Sequence, residues 1–344
     1  MKRKGLAVGI ILLFVGAAII PAIAQDIEKP SQSTSRGNWL YVGGSGPGNY
    51  SRIQDAINAS SDGDTVFVYD DSSPYYEHLT INYTITLKGE NKNTTIIDGN
   101  RTGNLIKNNA NEVIITGFTI QNATIGIFST TNRNQIFGNN ILNNNQHGIY
   151  FHANHVDEIA ATRNRIENNY ISKNRLNGIE ICVYEGYVFG SGSFNSIRDN
   201  ILTENGCGIY IGVFCSGNLI YGNIIMSNQE EGINLDIFIH GLNRVVRNHI
   251  EQNGVGIRLY GPSFNIIRNN NIIQNSIDAI FLTFITRLYN LWIGNYWGRP
   301  YLAPKVIIGF REIPMFQPWA DSIILPCIAF DIRPALKPYA IGVR

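Results

Sequence analysis

The stretch NSIRDNILTENGCGI, residues 195–209, places asparagine at 195, 200 and 205, aliphatic side chains at 197, 202 and 209, and glycine at 208. The same grammar, N-x-[I/V]-x-x-N-x-[I/L]-x-x-N, begins at Asn134, Asn164, Asn195, Asn218, Asn243 and Asn265, and a truncated copy runs from Asn290-Leu291-Trp292 to Asn295. Its middle asparagines are Asn139, Asn169, Asn200, Asn223, Asn248 and Asn270. Gly-Ile follows at Gly148-Ile149, Gly178-Ile179, Gly208-Ile209, Gly232-Ile233 and Gly256-Ile257, with Ala279-Ile280 after the sixth copy. Segments this short and β-branched suit strands rather than helices. Asparagine tolerates tight turns and left-handed backbone, so it marks the corners. A circuit of short strands with asparagine corners stacks on the next at about 4.8 Å, the strand spacing. Isoleucines then form a continuous core, and asparagines form amide ladders along the axis. The regular apolar positions exclude an Asn-rich disordered tract.

The repeat therefore predicts an all-β protein, a single-stranded right-handed parallel β-helix of about ten coils. Outward from it, Asn111-Glu112-Val113 to Gly126-Ile127 reads as a divergent coil, and residues 65–68, 79–81, 85–87 and 94–98 read as strands. Ser51-Arg52-Ile53-Gln54 fits a capping box opening a short amphipathic helix through Ala56 and Ile57, expected to plug the open core. Trp292, Tyr296, Trp297 and Trp319 are expected to form an aromatic-rich C-terminal cap. The expected organisation is residues 40–298 for the β-helix and 299–344 for a cap or tail, with 25–39 as a Ser-rich linker.

The 344 residues carry a net charge of only +1, with Lys and Arg scattered, which argues against a nucleic-acid partner. Lys2-Arg3-Lys4, the apolar run Leu6–Ile20 and Ala22-Ile23-Ala24 compose an export signal over residues 1–24. Cleavage is expected; the alternative is an uncleaved anchor whose residues 5–24 would be the chain's one membrane contact. Either way the body lies outside the cytoplasm. Sequons begin at Asn49, Asn58, Asn82, Asn93, Asn100 and Asn122; they either carry glycans or arise by chance in an Asn/Thr-rich stretch. Of Cys182, Cys207, Cys215 and Cys327, the pair Cys207–Cys215 is the most plausible disulfide, with three pairings open.

Alternation along a strand places the residue after each Gly-Ile on the outer surface. That column reads Phe128, Tyr150, Glu180, Tyr210, Asn234, Arg258 and Phe281, and the next outward column reads Thr130, His152, Cys182, Gly212, Asp236, Tyr260 and Thr283. Aromatics interleaved with carboxylate, amide and guanidinium groups suit a polysaccharide groove, because rings stack on sugar faces while polar groups bond hydroxyls and acids. The bland reading is an ordinary solvated face. The intervals from Gly148 to Asn164 and from Gly178 to Asn195 are longer than elsewhere, and these insertions add His155, Asp157, Glu158, Tyr184, Glu185 and Tyr187 beside the columns. The candidate catalytic residues are His152 or His155 with Glu180, for proton transfer on a uronic-acid-like sugar. The candidate substrate-binding residues are Tyr150, Tyr210, Asn234, Asp236, Arg258, Tyr184 and Glu185.

Tyr41-Val42-Gly43-Gly44, Tyr50-Ser51-x-Ile53-Gln54-x-Ala56-Ile57, Gly63-Asp64-Thr65-Val66, Leu87-x-Gly89-Glu90 and Asn295-Tyr296-Trp297-Gly298 resemble pectate-lyase-like β-helix proteins of the NosD type. The resemblance implies the β-helix through about residue 298 and an exported protein. Relatives include a periplasmic accessory protein proposed to deliver copper, alginate epimerases and exported proteins of unknown activity. No enzymatic signature carries over intact. The Asp-Pro-His of epimerases is replaced by Tyr150-Phe151-His152-Ala153-Asn154-His155, and Asp70-Asp71 occurs without the Gly-His-Gly of polygalacturonases. No cofactor and no metal site is expected. Copper or calcium is the alternative, but Met226, Met315 and the pair His152/His155 make half a copper site at best. Three functions stand side by side: binding, with or without modification, of an extracellular polysaccharide or surface glycan, a noncatalytic surface solenoid, and a copper-maturation accessory factor.

Overall fold

A computed structural model of the chain describes residues 37–153, 160–183, 191–236, 241–261, 264–283, 290–313 and 323–342. Residues 1–36, which hold the expected signal and most of the linker, lie outside the described residues. From Gly37 onward the chain is one compact body. It is an all-β, right-handed parallel β-helix of about ten coils.

Each regular coil contributes three strands to three stacked parallel sheets. The first sheet runs through Gln135–Phe137, Arg165–Glu167, Ser196–Arg198, Leu219–Tyr221, Arg244–Val246, Ile266–Arg268 and Leu291–Ile293. The second runs through Asn140–Leu142, Tyr170–Ser172, Ile201–Thr203, Ile224–Met226, His249–Glu251 and Asn271–Ile273. The third runs through Ile149–Ala153, Asn177–Val183, Cys207–Ile211, Glu231–Asp236, Val255–Tyr260 and Ile277–Thr283. Registry is isoleucine on isoleucine: Ile136, Ile166, Ile197 and Ile220 stack directly, and all are buried. At Gly126, Gly148, Gly178, Gly208 and Gly232 the next coil's backbone oxygen sits where a Cβ would go, so the repeat's glycine is imposed by coil-to-coil contact.

The asparagines lie over one another in three ladders. Asn139 Nδ2 donates to Asn169 Oδ1, Asn169 to Asn200, Asn200 to Asn223, Asn223 to Asn248, Asn248 to Asn270 and Asn270 to Asn295, at 2.9–3.1 Å. Each Oδ1 also accepts the preceding ladder residue's backbone N–H, and each Nδ2 reaches a carbonyl of the coil before, as Asn200 does to Ile166 O at 2.8 Å. The corner geometry differs from expectation. The left-handed residue is the one before each ladder asparagine: Asn168, Asp199, Arg247 and Asn269 in the middle column, and Arg163, Phe194 and Leu242 in another. Such backbone costs roughly 1–2 kcal/mol per residue, and the amide's several bonds offset it. Asparagine is there for its amide, not for tolerance of left-handed angles.

The ends are closed by groups the repeat does not announce. The helix α1, Ile53–Ala59, buries Ile53, Ala56 and Ile57 in the common core. Its N-terminus is not held by a Ser51 capping box. The Glu77 carboxylate takes the Ile53 and Gln54 N–H groups at 2.8 and 3.1 Å, a carboxylate at the positive end of the helix. At the far end Asp331 accepts from Asn295 N and Nδ2 at 2.8 and 2.9 Å and from Trp297 Nε1 at 3.1 Å, terminating the middle ladder. Asp331 closes an antiparallel hairpin, Lys305–Ile313 with Ile323–Asp331. Trp292 and Trp297 are buried, and Trp319 lies outside the described residues. The disulfide expectation is corrected: all four cysteines are free, and Cys207 and Cys215 donate to separate carbonyls, Ile209 O and Ile181 O.

Replacing Asn200 by the isosteric Leu strands the donors of Asn169 and the Ile166 carbonyl, so it is expected to cost about 3 kcal/mol or more. Thr203→Ala, on the adjoining surface strand, is expected to stay within about 0.5 kcal/mol. Urea unfolding midpoints of the two variants check the difference.

Candidate functional site

The third sheet presents the outward columns. In register the first reads Phe128, Tyr150, Glu180, Tyr210, Asn234 and Arg258, as expected, and then Ile280. Phe281 and Thr283 are corrected. Asp278, not Ala279, stacks on Gly256, so Ala279 pairs with Ile257 and the motif is shifted by one position. Phe281 consequently points inward, 9 % exposed, over Gly309 of the hairpin, where a Cβ would have no room. Leu282, not Thr283, follows Tyr260 in the second column, which includes His152 beside Cys182 and Asp236 beside Tyr260. His155, Asp157, Glu158, Tyr184, Glu185 and Tyr187 lie outside the described residues.

At the head of the site three side chains meet across two coils, with a further pair packed behind them. The Tyr150 hydroxyl is 2.6 Å from His152 Nδ1 and 3.3 Å from Cys182 Sγ, and Cys182 Sγ is 3.5 Å from the same ring nitrogen. Glu180, which stacks on Tyr150 in the ladder, turns toward His147: its Oε2 is 3.1 Å from His147 Nδ1, a close contact that becomes an ion pair only when the imidazole is protonated and is not aligned as a hydrogen bond, and it accepts from Asn177 Nδ2. The His147 ring packs on Tyr150 with centroids 4.9 Å apart. The partner of Glu180 is thus His147, which the reading of the sequence missed. Its signal was the position immediately before each Gly-Ile, where His147, Asn177, Cys207 and Glu231 follow one another. The glycine bend interrupts alternation there, so counting by twos from Tyr150 passes over it.

Burial sets the protonation of this cluster. His147 and His152 are both held below the ordinary histidine value by desolvation, opposed in part by the Glu180 charge. The Cys182 thiol is pushed up to about 12, chiefly by burial, and stays protonated at neutral pH. Further along, the Tyr210 hydroxyl donates to Asp236 Oδ2 at 3.0 Å, and burial raises the Asp236 carboxyl despite that bond. Arg258 Nε meets Glu231 Oε1 at 3.0 Å, and between these pairs Asn234 Oδ1 is shielded from solvent without a hydrogen-bond partner. The face can accept and donate to a polar polymer, stack rings on it, and move a proton between a neutral imidazole and a phenol hydroxyl.

Fold and face together define a right-handed parallel β-helix with a polar, aromatic outer wall. The family model described as periplasmic copper-binding protein (NosD) matches residues 180–296, from Glu180 to the last coil. No curated protein matches the chain significantly. Among solved structures, the A-module of an Azotobacter vinelandii mannuronan C-5 epimerase is 17% identical, with a TM-score of 0.50 over 71% of this chain and 83% of that one. The enzymatically active domain of tailspike protein 2 from bacteriophage CBA120 is 13% identical, with a TM-score of 0.50 over 78% of this chain and 41% of that one. At these identities the likeness is one of fold.

The described residues do not form a site that fits the copper in the family's description. Among the described residues no three His, Cys, Asp or Glu side chains converge as metal ligands. His152 and Cys182 approach each other, but the third group there is the Tyr150 hydroxyl, and burial opposes the thiolate that a soft metal requires. Met226 belongs to the second sheet, on another face. No helix among the described residues is long and apolar enough to cross a membrane.

Since both histidines titrate below 6.5, their neutral forms are the folded ones at pH 7. The unfolded chain binds these protons more readily, so their contribution favours the fold above that value and is lost as pH falls through their folded pKa values. Glu180→Gln removes the charge that raises them and is expected to move both titrations lower still, as read from imidazole C2–H NMR shifts.

Proposed function

We propose that this chain binds an acidic extracellular polysaccharide along the outer face of its third sheet. The observation that carries the reading is the unbroken register of Tyr150, Glu180, Tyr210, Asn234 and Arg258 on consecutive strands. At the strand spacing of about 4.8 Å, that column offers an extended polymer a ring, a carboxylate, a ring, an amide and a guanidinium in turn. Rings stack against sugar faces; Glu180, Asn234 and Asp236 bond hydroxyls; Arg258 suits a sugar carboxylate. Tyr184, Glu185 and His155, from the two insertions in the sequence, extend this proposal. Two solved structures of the same fold support the reading in a general way, one a mannuronan epimerase module and the other an enzymatically active tailspike domain. Export through residues 1–24 is part of the proposal, and the periplasmic family description is consistent with it.

Turnover is the second reading, favoured by the 2.6 Å contact between the Tyr150 hydroxyl and a neutral His152, with Glu180 and His147 behind them. A base and a hydroxyl acid side by side are what proton transfer at a uronate carbon requires.

On an array of plant, algal and bacterial polysaccharides the chain is expected to bind acidic polymers. Tyr150→Ala and Tyr210→Ala are each expected to weaken binding by about 1 kcal/mol, roughly fivefold. Product analysis by chromatography tests turnover, and Glu180→Ala with His152→Ala leaving both binding and products unchanged would refute the site. A well-folded chain that binds no glycan would favour the noncatalytic scaffold.

A further inference from the structure

The corner between the first and second sheets carries a second concave site, on a different face from the ladder. Its column is Asn168, Asp199, Gly222, Arg247, Asn269 and Gly294, each with left-handed backbone. Gly222 leaves this column without a side chain, and a Cβ there would collide with the Asp199 carboxylate. That carboxylate takes the space and forms one wall of a recess of about 380 Å³ lined by Asn168, Arg198, Asp199, Tyr221, Arg247 and the segment 340–342.

Three observations set this recess apart from a solvated corner. Arg198 lies with its guanidinium carbon 5.1 Å from the Tyr221 ring centroid, and its Nε is shielded from solvent with no acceptor. Glu167, its register neighbour, is already taken by the Arg165 fork at 3.0 and 3.1 Å. Among the described residues neither Arg198 nor Arg247 has a carboxylate within ion-pair distance. The wall formed by 340–342 is also built, not incidental. After Asp331 the chain turns back along the solenoid, Tyr339 exchanges N–H and C=O bonds with the Asn271 side chain at 2.8 and 2.9 Å, and its hydroxyl donates to Gly294 O at 2.6 Å.

We propose that this recess binds the carboxylate of a hexuronate sugar. Two uncommitted guanidiniums against the single Asp199 carboxylate leave one net positive charge, which matches a monoanion. A sugar acid would place its carboxylate on Arg198 and Arg247 and its hydroxyls on Asp199 and Asn168. A phosphate dianion would meet Asp199 at close quarters instead. The site does not depend on the third-sheet ladder and would give an acidic polymer a separate point of attachment.

Saturation-transfer NMR and calorimetry with D-glucuronate, D-galacturonate, D-glucose and inorganic phosphate on the purified chain test the assignment. The hexuronates are expected to bind in preference to glucose and phosphate. Arg198→Gln with Arg247→Gln is expected to weaken them about tenfold, whereas Tyr150→Ala leaves a ladder-independent component of uronate binding intact. Asp199→Asn, which keeps the corner's shape, is expected to admit phosphate. Equal hexuronate binding by the folded double arginine variant, preference for phosphate in the unaltered chain, or no hexuronate binding in the millimolar range would each overturn the proposal. Loss of all uronate binding in Tyr150→Ala would reassign that binding to the ladder and overturn it too.

Discussion

Everything in this molecule rests on a buried amide that is fully hydrogen-bonded from both sides. A primary amide in an apolar interior is costly unless its oxygen and both hydrogens are satisfied, and a single coil cannot satisfy them. The ladder asparagines solve this only when coils lie one on another with no slip. Asn169, for example, gives to Asn200 Oδ1 and Ile136 O while its own oxygen takes the Asn139 N–H and amide. The same bonds hold the preceding residue in left-handed backbone, even where that residue is Phe194 or Leu242. Register, corner geometry and core alignment are therefore one constraint.

A ladder must end somewhere, and its ends show how the constraint is met when the repeat runs out. Asn295 has no following asparagine, and Asp331 from the hairpin supplies the missing acceptor together with one for Trp297. A carboxylate serves where an amide would not, because every facing group there is a donor. At the opposite end Glu77 does the equivalent for the first turn of α1. Both are buried acids met mainly by N–H groups, and Glu77 also has the Arg52 guanidinium 3.7 Å away.

The exactness of stacking is also what makes a functional surface out of residues far apart in sequence. Tyr150, Glu180, Tyr210, Asn234 and Arg258 are neighbours only because Ile149, Ile179, Ile209, Ile233 and Ile257 stack beneath them. Where the repeat deviates, the face changes character: the one-position shift at Asp278 ends the polar column with Ile280. At the corner, the absence of a side chain at Gly222 makes room for the Asp199 carboxylate, which lines the recess there. Deviations from the consensus carry the individuality of this chain; the consensus carries only its shape.

The fold, the ladders and most of the outward column were legible in the sequence, because a repeated spacing in a solenoid translates directly into a repeated position in space. The motif's local letters were enough for that. Pairing of Glu180 with His147 instead of His152, the inward turn of Phe281, the Glu77 cap and the Asp331 terminus were not legible. Each depends on which side chain from a different coil or from the tail arrives at a given atom, and one-dimensional spacing holds no record of it. That the chain winds, and what lies inside the winding, follows from the amino-acid order alone, since periodic isoleucine and asparagine leave no other way to bury both. Only the tertiary structure decided which ionisable groups touch, how burial sets their protons and where the surface becomes concave, because these follow from distances across coils that the spacing does not contain.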